Sequence, residues 1–136
     1  MKIYIFDASI LGCLLFNESN TLVKKINKLV KLAKENKIRL VSPNLLSYEI
    51  SNMIKNHSSK EDSKNLFNDF ISLPIELVGI TSEQMKKILE VACDYNVTTY
   101  DASYHYLAKF LDGTFVTCDG KYYQKVKELG SIELVK

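Results

Sequence analysis

Short β-rich runs alternate with longer helical patterns along the chain, and this alternation narrows the possible folds more than any other feature. Five runs read as strands: "KIYIFD" (Lys2 to Asp7), "RLVSPN" (Arg39 to Asn44), "IELVGI" (Ile75 to Ile80), "TFVTCD" (Thr114 to Asp119) and "SIELVK" (Ser131 to Lys136). Between them apolar residues recur at helical spacing over Thr21 to Glu35, Leu45 to Asn56, Lys60 to Leu73, Ser82 to Tyr95, Asp101 to Leu111 and Lys121 to Leu129. Strands separated by helices pair in parallel, and the helices then cover both faces of the sheet. The expectation is an α/β fold with a mainly parallel sheet of about five strands. Pro43 and Pro74 fall at element boundaries, where a missing backbone donor does least harm.

The chain has 136 residues, 46% hydrophobic and 25% charged, a globular composition with enough length for one real core. One domain over residues 1–136 is therefore expected. The apolar run "ASILGCLLF" (Ala8 to Phe16) is too short to span a bilayer and follows a strand-like segment rather than a basic signal region, which argues for a cytoplasmic protein without membrane contact. Cys13, Cys93 and Cys118 are odd in number, far apart and in no CxxC pair, so neither a disulfide framework nor a zinc site is expected and they read as reduced core thiols. A net charge of +2 does not announce a nucleic-acid binder. Lys24, Lys28, Lys31 and Lys34 share one helical stripe, read as a solvated face with phosphate contact as the alternative.

Acids at the carboxyl ends of strands are suspects, because ligands of open α/β sheets bind there. Asp7 closes the first strand and Asp119 closes "FVTC" in the same way; each alone could be a turn residue or helix cap. Asp101 falls where the helical pattern from Tyr104 onward begins, a position that suits a cap. Glu49 is harder to place. It lies one turn from Leu45, Leu46 and Met53 at the edge of an apolar stripe, with no Lys or Arg placed on that helix to pair with it. A carboxylate facing the interior is costly without a partner, and a metal ion is one candidate. Taken together, Asp7, Glu49, Asp101 and Asp119 form an oxygen-only set without histidine or cysteine, suited to Mg²⁺ or Mn²⁺. Two carboxylates about 4 Å apart repel by roughly 4 kcal/mol at an effective dielectric near 20, so four together make sense only around cations. The chemistry such a set serves is metal-assisted phosphoryl transfer, as in nucleases.

At this point the sequence resembles a PIN-domain ribonuclease, and more narrowly the VapC-type toxins of prokaryotic toxin–antitoxin pairs. The resemblance rests on "FDASIL" with Asp7 and Ser9, "LLSYEISNMI" with Glu49 and Asn52, "TTYDASYHYLA" with Asp101, and "FVTCDGKYYQKV" with Thr117 and Asp119. It implies a single PIN-like nuclease domain whose five-stranded sheet gathers the four acids in one groove, where they hold Mg²⁺ or Mn²⁺ and orient the attacking water. It also implies support from Ser9, Asn52 and Thr117 by hydrogen bonds, an RNA substrate, a homodimer, and a VapB-like antitoxin lying in the groove.

Lys121 could meet a phosphate at the rim of such a groove, and His105, one turn beyond Asp101, could contact RNA, although an ordinary core or surface histidine is the simpler reading. Tyr95, Tyr100, Tyr104 and Tyr106 could stack bases but read mostly as core or dimer contacts. Two rivals remain. One is the same chemistry in housekeeping RNA processing without an antitoxin. The other is a noncatalytic interaction or receiver-like domain, which would group its acids on the first and third strands and need a Lys at the end of a late strand. A haloacid-dehalogenase-like phosphatase is disfavoured because "DAS" lacks an acid two residues after Asp7.

Overall fold

The computed structural model describes residues 1–16 and 20–135. Its strands are β1 (Ile3–Phe6), β2 (Arg39–Pro43), β3 (Ile75–Val78), β4 (Thr114–Thr117) and β5 (Ile132–Leu134). Its helices are α1 (Ala8–Phe16), α2 (Asn20–Lys34), α3 (Leu45–His57), α4 (Lys60–Ile71), α5 (Ser82–Tyr95), α6 (Thr99–Phe110) and α7 (Gly120–Val126), with a 3₁₀ turn over Lys127–Leu129. The sheet runs β3-β2-β1-β4-β5 and every strand pair in it is parallel. From β1 the chain winds outward through β2 to β3, then returns to the other side of β1 for β4 and β5. The order therefore reverses between β1 and β4, and the crevice of such a sheet opens beyond the carboxyl ends at that reversal.

The central strands are apolar without alternation because helices cover both faces. Ile5 and Phe6 of β1, Leu40 and Val41 of β2, and Phe115 and Val116 of β4 are all buried. Onto them α2 turns Leu22, Ile26, Val30 and Ala33, while Lys24, Lys28, Lys31 and Lys34 stay exposed on its far side. Ser42 is fully buried and its hydroxyl donates to the Phe6 carbonyl at 2.7 Å, which fixes the chain just before Asp7.

Most element ends fall within a few residues of the sequence expectation, and the more informative departures are these. "ASILGCLLF" forms a helix; being apolar on all sides, it shows no stripe by which periodicity could find it, and both Ile10 and Leu11 are fully buried. Gly12 on this helix lets α3 come close, since a Cβ there would lie 2.6 Å from the Met53 sulfur. The helix containing Asp101 begins earlier than expected: Thr98 is its cap, accepting the Asp101 amide at 3.1 Å, so Asp101 lies in the first turn and is not itself the cap. The last strand ends at Leu134, and Lys136 lies outside the described residues.

Gly113 brings β4 against β1, because a Cβ there would meet the Ile3 carbonyl oxygen at 2.6 Å. Gly113→Ala is expected to destabilise by roughly 1–3 kcal/mol, as overpacking against backbone does. Gly120→Ala, where an added Cβ meets nothing within 4 Å, should leave the thermal midpoint unchanged or raised. Equal midpoints for the two variants would contradict this account of the β1–β4 contact.

Candidate functional site

Asp7 leaves β1 and opens α1 at the reversal of strand order, and it is only 6% exposed. Its carboxylate is held by short bonds. Oδ1 accepts the Ser9 hydroxyl at 2.6 Å and the Ile10 amide at 3.1 Å, and Oδ2 accepts the Thr117 hydroxyl at 3.0 Å. Thr117 in turn accepts the Asp119 amide at 3.1 Å, so the ends of β1 and β4 are tied through one hydroxyl. Burial raises the Asp7 carboxyl from its usual 3.8 to about 6; the three hydrogen bonds hold it back and the charge of Asp101 adds to the rise.

Glu49 projects from α3 and is half-buried; its partner is the hydroxyl of Tyr104, which donates at 2.5 Å from α6. Burial raises the Glu49 carboxyl, the Tyr104 bond lowers it, and Asp101 raises it further. Asp101 is likewise raised by burial, held back by the Thr98 side chain and pushed up again by Asp119. Asp119 is exposed and caps α7, its Oδ1 accepting the Tyr122 amide at 3.0 Å. Asp101 and Asp119 line one open cavity of about 340 Å³ with Lys121 and Lys125. The four acids therefore share one electrostatic neighbourhood. Tyr122 reports the same crowding, its phenol raised first by burial and then by Asp101, Asp119 and Asp7.

The donor chemistry fits a hard divalent cation. All four groups are carboxylates, they repel one another, and among the described residues none is in an ion pair with Lys, Arg or His. Their present arrangement is more open than a closed ligand shell: among the described residues no three His, Cys, Asp or Glu side chains are set to hold an ion. All four meet internal donors: Asp7 those of Ser9, Ile10 and Thr117, Glu49 that of Tyr104, Asp101 that of Thr98 and Asp119 the first turn of α7.

Ser9 and Thr117 each donate a hydroxyl hydrogen bond to Asp7. Asn52 is exposed on α3, and none of the hydrogen bonds to the four acids comes from it. Lys121 is exposed at the rim of the Asp101–Asp119 cavity. His105 does not face the groove. It is buried at 1% exposure, with Nδ1 3.0 Å from the Tyr122 hydroxyl and Nε2 2.7 Å from the Gly130 carbonyl. The carbonyl requires an N–H at Nε2, leaving Nδ1 to accept from Tyr122, and burial lowers its pKa; it is a neutral core histidine. Of the tyrosines, Tyr100 is exposed, Tyr95 and Tyr106 are half-buried, and Tyr104 is buried in the core as read, with a hydroxyl contact to Glu49 that the sequence analysis did not foresee. Its signal was the spacing: Tyr104 lies one turn beyond Asp101 on the same helix face.

The buried acid makes a testable cost. A carboxyl raised in the folded form binds protons more tightly than in the unfolded chain, so its contribution is present at low pH and is lost as pH rises toward and through about 6. At about 1.4 kcal/mol per tenfold, holding Asp7 ionised at neutral pH costs the metal-free fold about 3 kcal/mol. Thermal melts in chelator should show the stability of Asp7→Asn, relative to the parent, growing from pH 4.5 to 7.5. A difference that stays constant over that range would contradict the buried-charge assignment.

A family model described as the PIN domain matches residues 4–129. Similar solved structures include VapBC2 from Rickettsia felis bound to a DNA fragment from its promoter, 15% identical with a TM-score of 0.74, covering 98% of this chain and 99% of that chain. PAE2754 from Pyrobaculum aerophilum is 23% identical with a TM-score of 0.67, covering 91% of this chain and 84% of its own. VapC20 of Mycobacterium tuberculosis, described as a Sarcin-Ricin loop cleaving toxin, is 11% identical with a TM-score of 0.69, covering 98% and 99%. At these identities the structures establish the shared fold. No curated protein matches the chain by sequence. No helix among the described residues is long and apolar enough to cross a membrane. With the match spanning most of the chain and its acids standing at the reversal of a parallel sheet, the chain belongs to the PIN domain family, a family of nucleases.

Proposed function

We propose that the chain is a Mg²⁺- or Mn²⁺-dependent endoribonuclease and the toxin of a toxin–antitoxin pair. The observation that carries the metal dependence is Asp7: a buried carboxylate at the sheet's reversal, crowded by Asp101 and without a cationic partner among the described residues. Asp7, Glu49, Asp101 and Asp119 would hold the cation, which when bound supplies an activated water and charge stabilisation at the leaving oxygen. Ser9 and Thr117 fix both oxygens of Asp7 in orientation. Tyr104 fixes Glu49. Lys121 and Lys125 offer positive charge to the phosphate backbone at the cavity rim.

The toxin reading draws on the neighbours. Of the similar structures, one is a VapBC assembly from Rickettsia felis and another a toxin–antitoxin complex from Klebsiella pneumoniae. For this chain the corresponding partners are a VapB-like antitoxin covering the acids and a second copy of the chain, acting in the cytoplasm on RNA. A short reading frame beside the gene whose product co-purifies and silences cleavage supports the toxin over a housekeeping processing nuclease. An undiminished rate in the saturated complex rules the toxin reading out.

Two outcomes are expected of the purified protein on a single-stranded RNA. Cleavage should stop in excess EDTA and return with Mn²⁺; full cleavage by metal-free protein would sink the mechanism. Tyr104→Phe keeps the ring stacked on Phe115, 5.8 Å away between centroids, while removing the donor to Glu49. It should reduce cleavage or metal affinity by about 10–100-fold with the fold intact. A parental rate and a parental metal-induced rise in melting temperature would show that the Tyr104 hydroxyl does not position Glu49.

A further inference from the structure

Cys13 on α1 and Cys118 in the link between β4 and α7 line one pocket of about 300 Å³ with Ser9 and Met53. Both are reduced and half-buried, and their side chains are in hydrogen-bonding contact with each other. Cys118 also touches the Ser9 hydroxyl, the group that donates to Asp7 Oδ1 at 2.6 Å. Along the chain Cys118 stands directly between Thr117, which donates to Asp7 Oδ2, and Asp119. Whatever moves the Cys118 sulfur thus reaches both oxygens of Asp7 and the backbone of a second acid. Nothing in the cleavage chemistry uses either thiol.

We propose that Cys13 and Cys118 form a dithiol that closes to an intramolecular disulfide, and that closure disables the acid site. A low-molecular-weight disulfide is the oxidant. One protein thiol attacks it, forming a mixed disulfide and releasing one small thiol; the second protein sulfur then attacks the first, expelling the other small thiol. Two S–H bonds on the protein are replaced by one S–S bond, and the reagent leaves as two thiols carrying the two protons. A disulfide holds its sulfurs about 2.05 Å apart, closer than thiols in hydrogen-bonding contact, so closure draws the Cys118 sulfur toward Cys13 and away from the Ser9 hydroxyl. Both thiols are half-buried, so an oxidant reaches them slowly and closure calls for excess reagent over hours.

The loss of activity rests on the nuclease reading; the bond itself does not. The full chain is incubated with glutathione disulfide and then digested without reductant. The expected product is a peptide joining Cys13 to Cys118, two hydrogens lighter than its reduced parts. RNA cleavage should fall at least about tenfold, the scale on which disturbed supporting groups act, and dithiothreitol should restore it. Cys13→Ser should cut RNA at the parental rate and resist the oxidant. The Mn²⁺-induced rise in melting temperature reads the site without cleavage and should shrink on oxidation in the parent alone. If the linked peptide forms and that rise shrinks in a chain that never cuts RNA, the nuclease reading fails and the dithiol stands. Oxidation that modifies exposed Cys93 but never joins Cys13 to Cys118 overturns the proposal. So does a joined peptide with cleavage and the metal-induced rise at parental levels.

Discussion

The structure turns on one expensive group, the carboxylate of Asp7, kept nearly out of water at the end of the first strand. An isolated buried charge would neutralise itself or unfold its surroundings. Asp7 is retained by three donors, and even with them its carboxyl sits near 6. Much else at this end of the sheet serves the same group. Thr117 bonds it and passes the constraint to Asp119; Ser9 bonds it from the first turn of α1; Ser42 pins the Phe6 carbonyl just before it. Hydrogen bonds lower the cost of the charge without removing it, and the other acids add to it. A divalent cation would both satisfy and neutralise the set, which is the chemical sense that the proposed metal site gives to the arrangement.

The sheet order explains how residues far apart in sequence reach this place. Winding from β1 to β3 and then back to β4 leaves the carboxyl ends of β1 and β4 as neighbours with their helices departing on different courses. Asp7 and Asp119 stand on those two ends. Glu49 and Asp101 come from α3 and α6, which pack near the same rim and meet through the Tyr104–Glu49 bond. That bond gives Glu49 a donor where it would otherwise face apolar neighbours, and so fixes its position beside α6.

Much of this was legible in the sequence, and the rest fails for physical reasons. The central strands were readable because buried parallel strands are largely apolar runs, and Asp7 and Asp119 were suspicious because they end such runs; the edge strands β3 and β5 were readable from their β-branched and apolar residues although each carries an exposed Glu. The helix over Ala8–Phe16 was not, since a helix buried on every side has no polar face to reveal its period. The start of α6 was misread by two residues because Thr98 and Asp101 can both cap, and only the backbone decides which hydroxyl or carboxylate takes the amide. Glu49 was seen to need a partner, but Tyr104 lies 55 positions away and pairs across two helices, a contact no local pattern encodes. His105 likewise owes its core role to Tyr122 and Gly130, brought beside it only by the packing of α7 and the following turn.

The central claim is that these carboxylates are held in a charge-crowded site whose proper occupant is a divalent cation. Calorimetric titration of the metal-free protein with Mn²⁺, repeated in two buffers of different ionisation enthalpy, tests it most directly. At pH 6, where the Asp7 carboxyl is about half protonated, saturable binding should expel protons, and the release should fade by pH 8. Binding with no proton release at pH 6, or no saturable binding at either pH, would contradict the account.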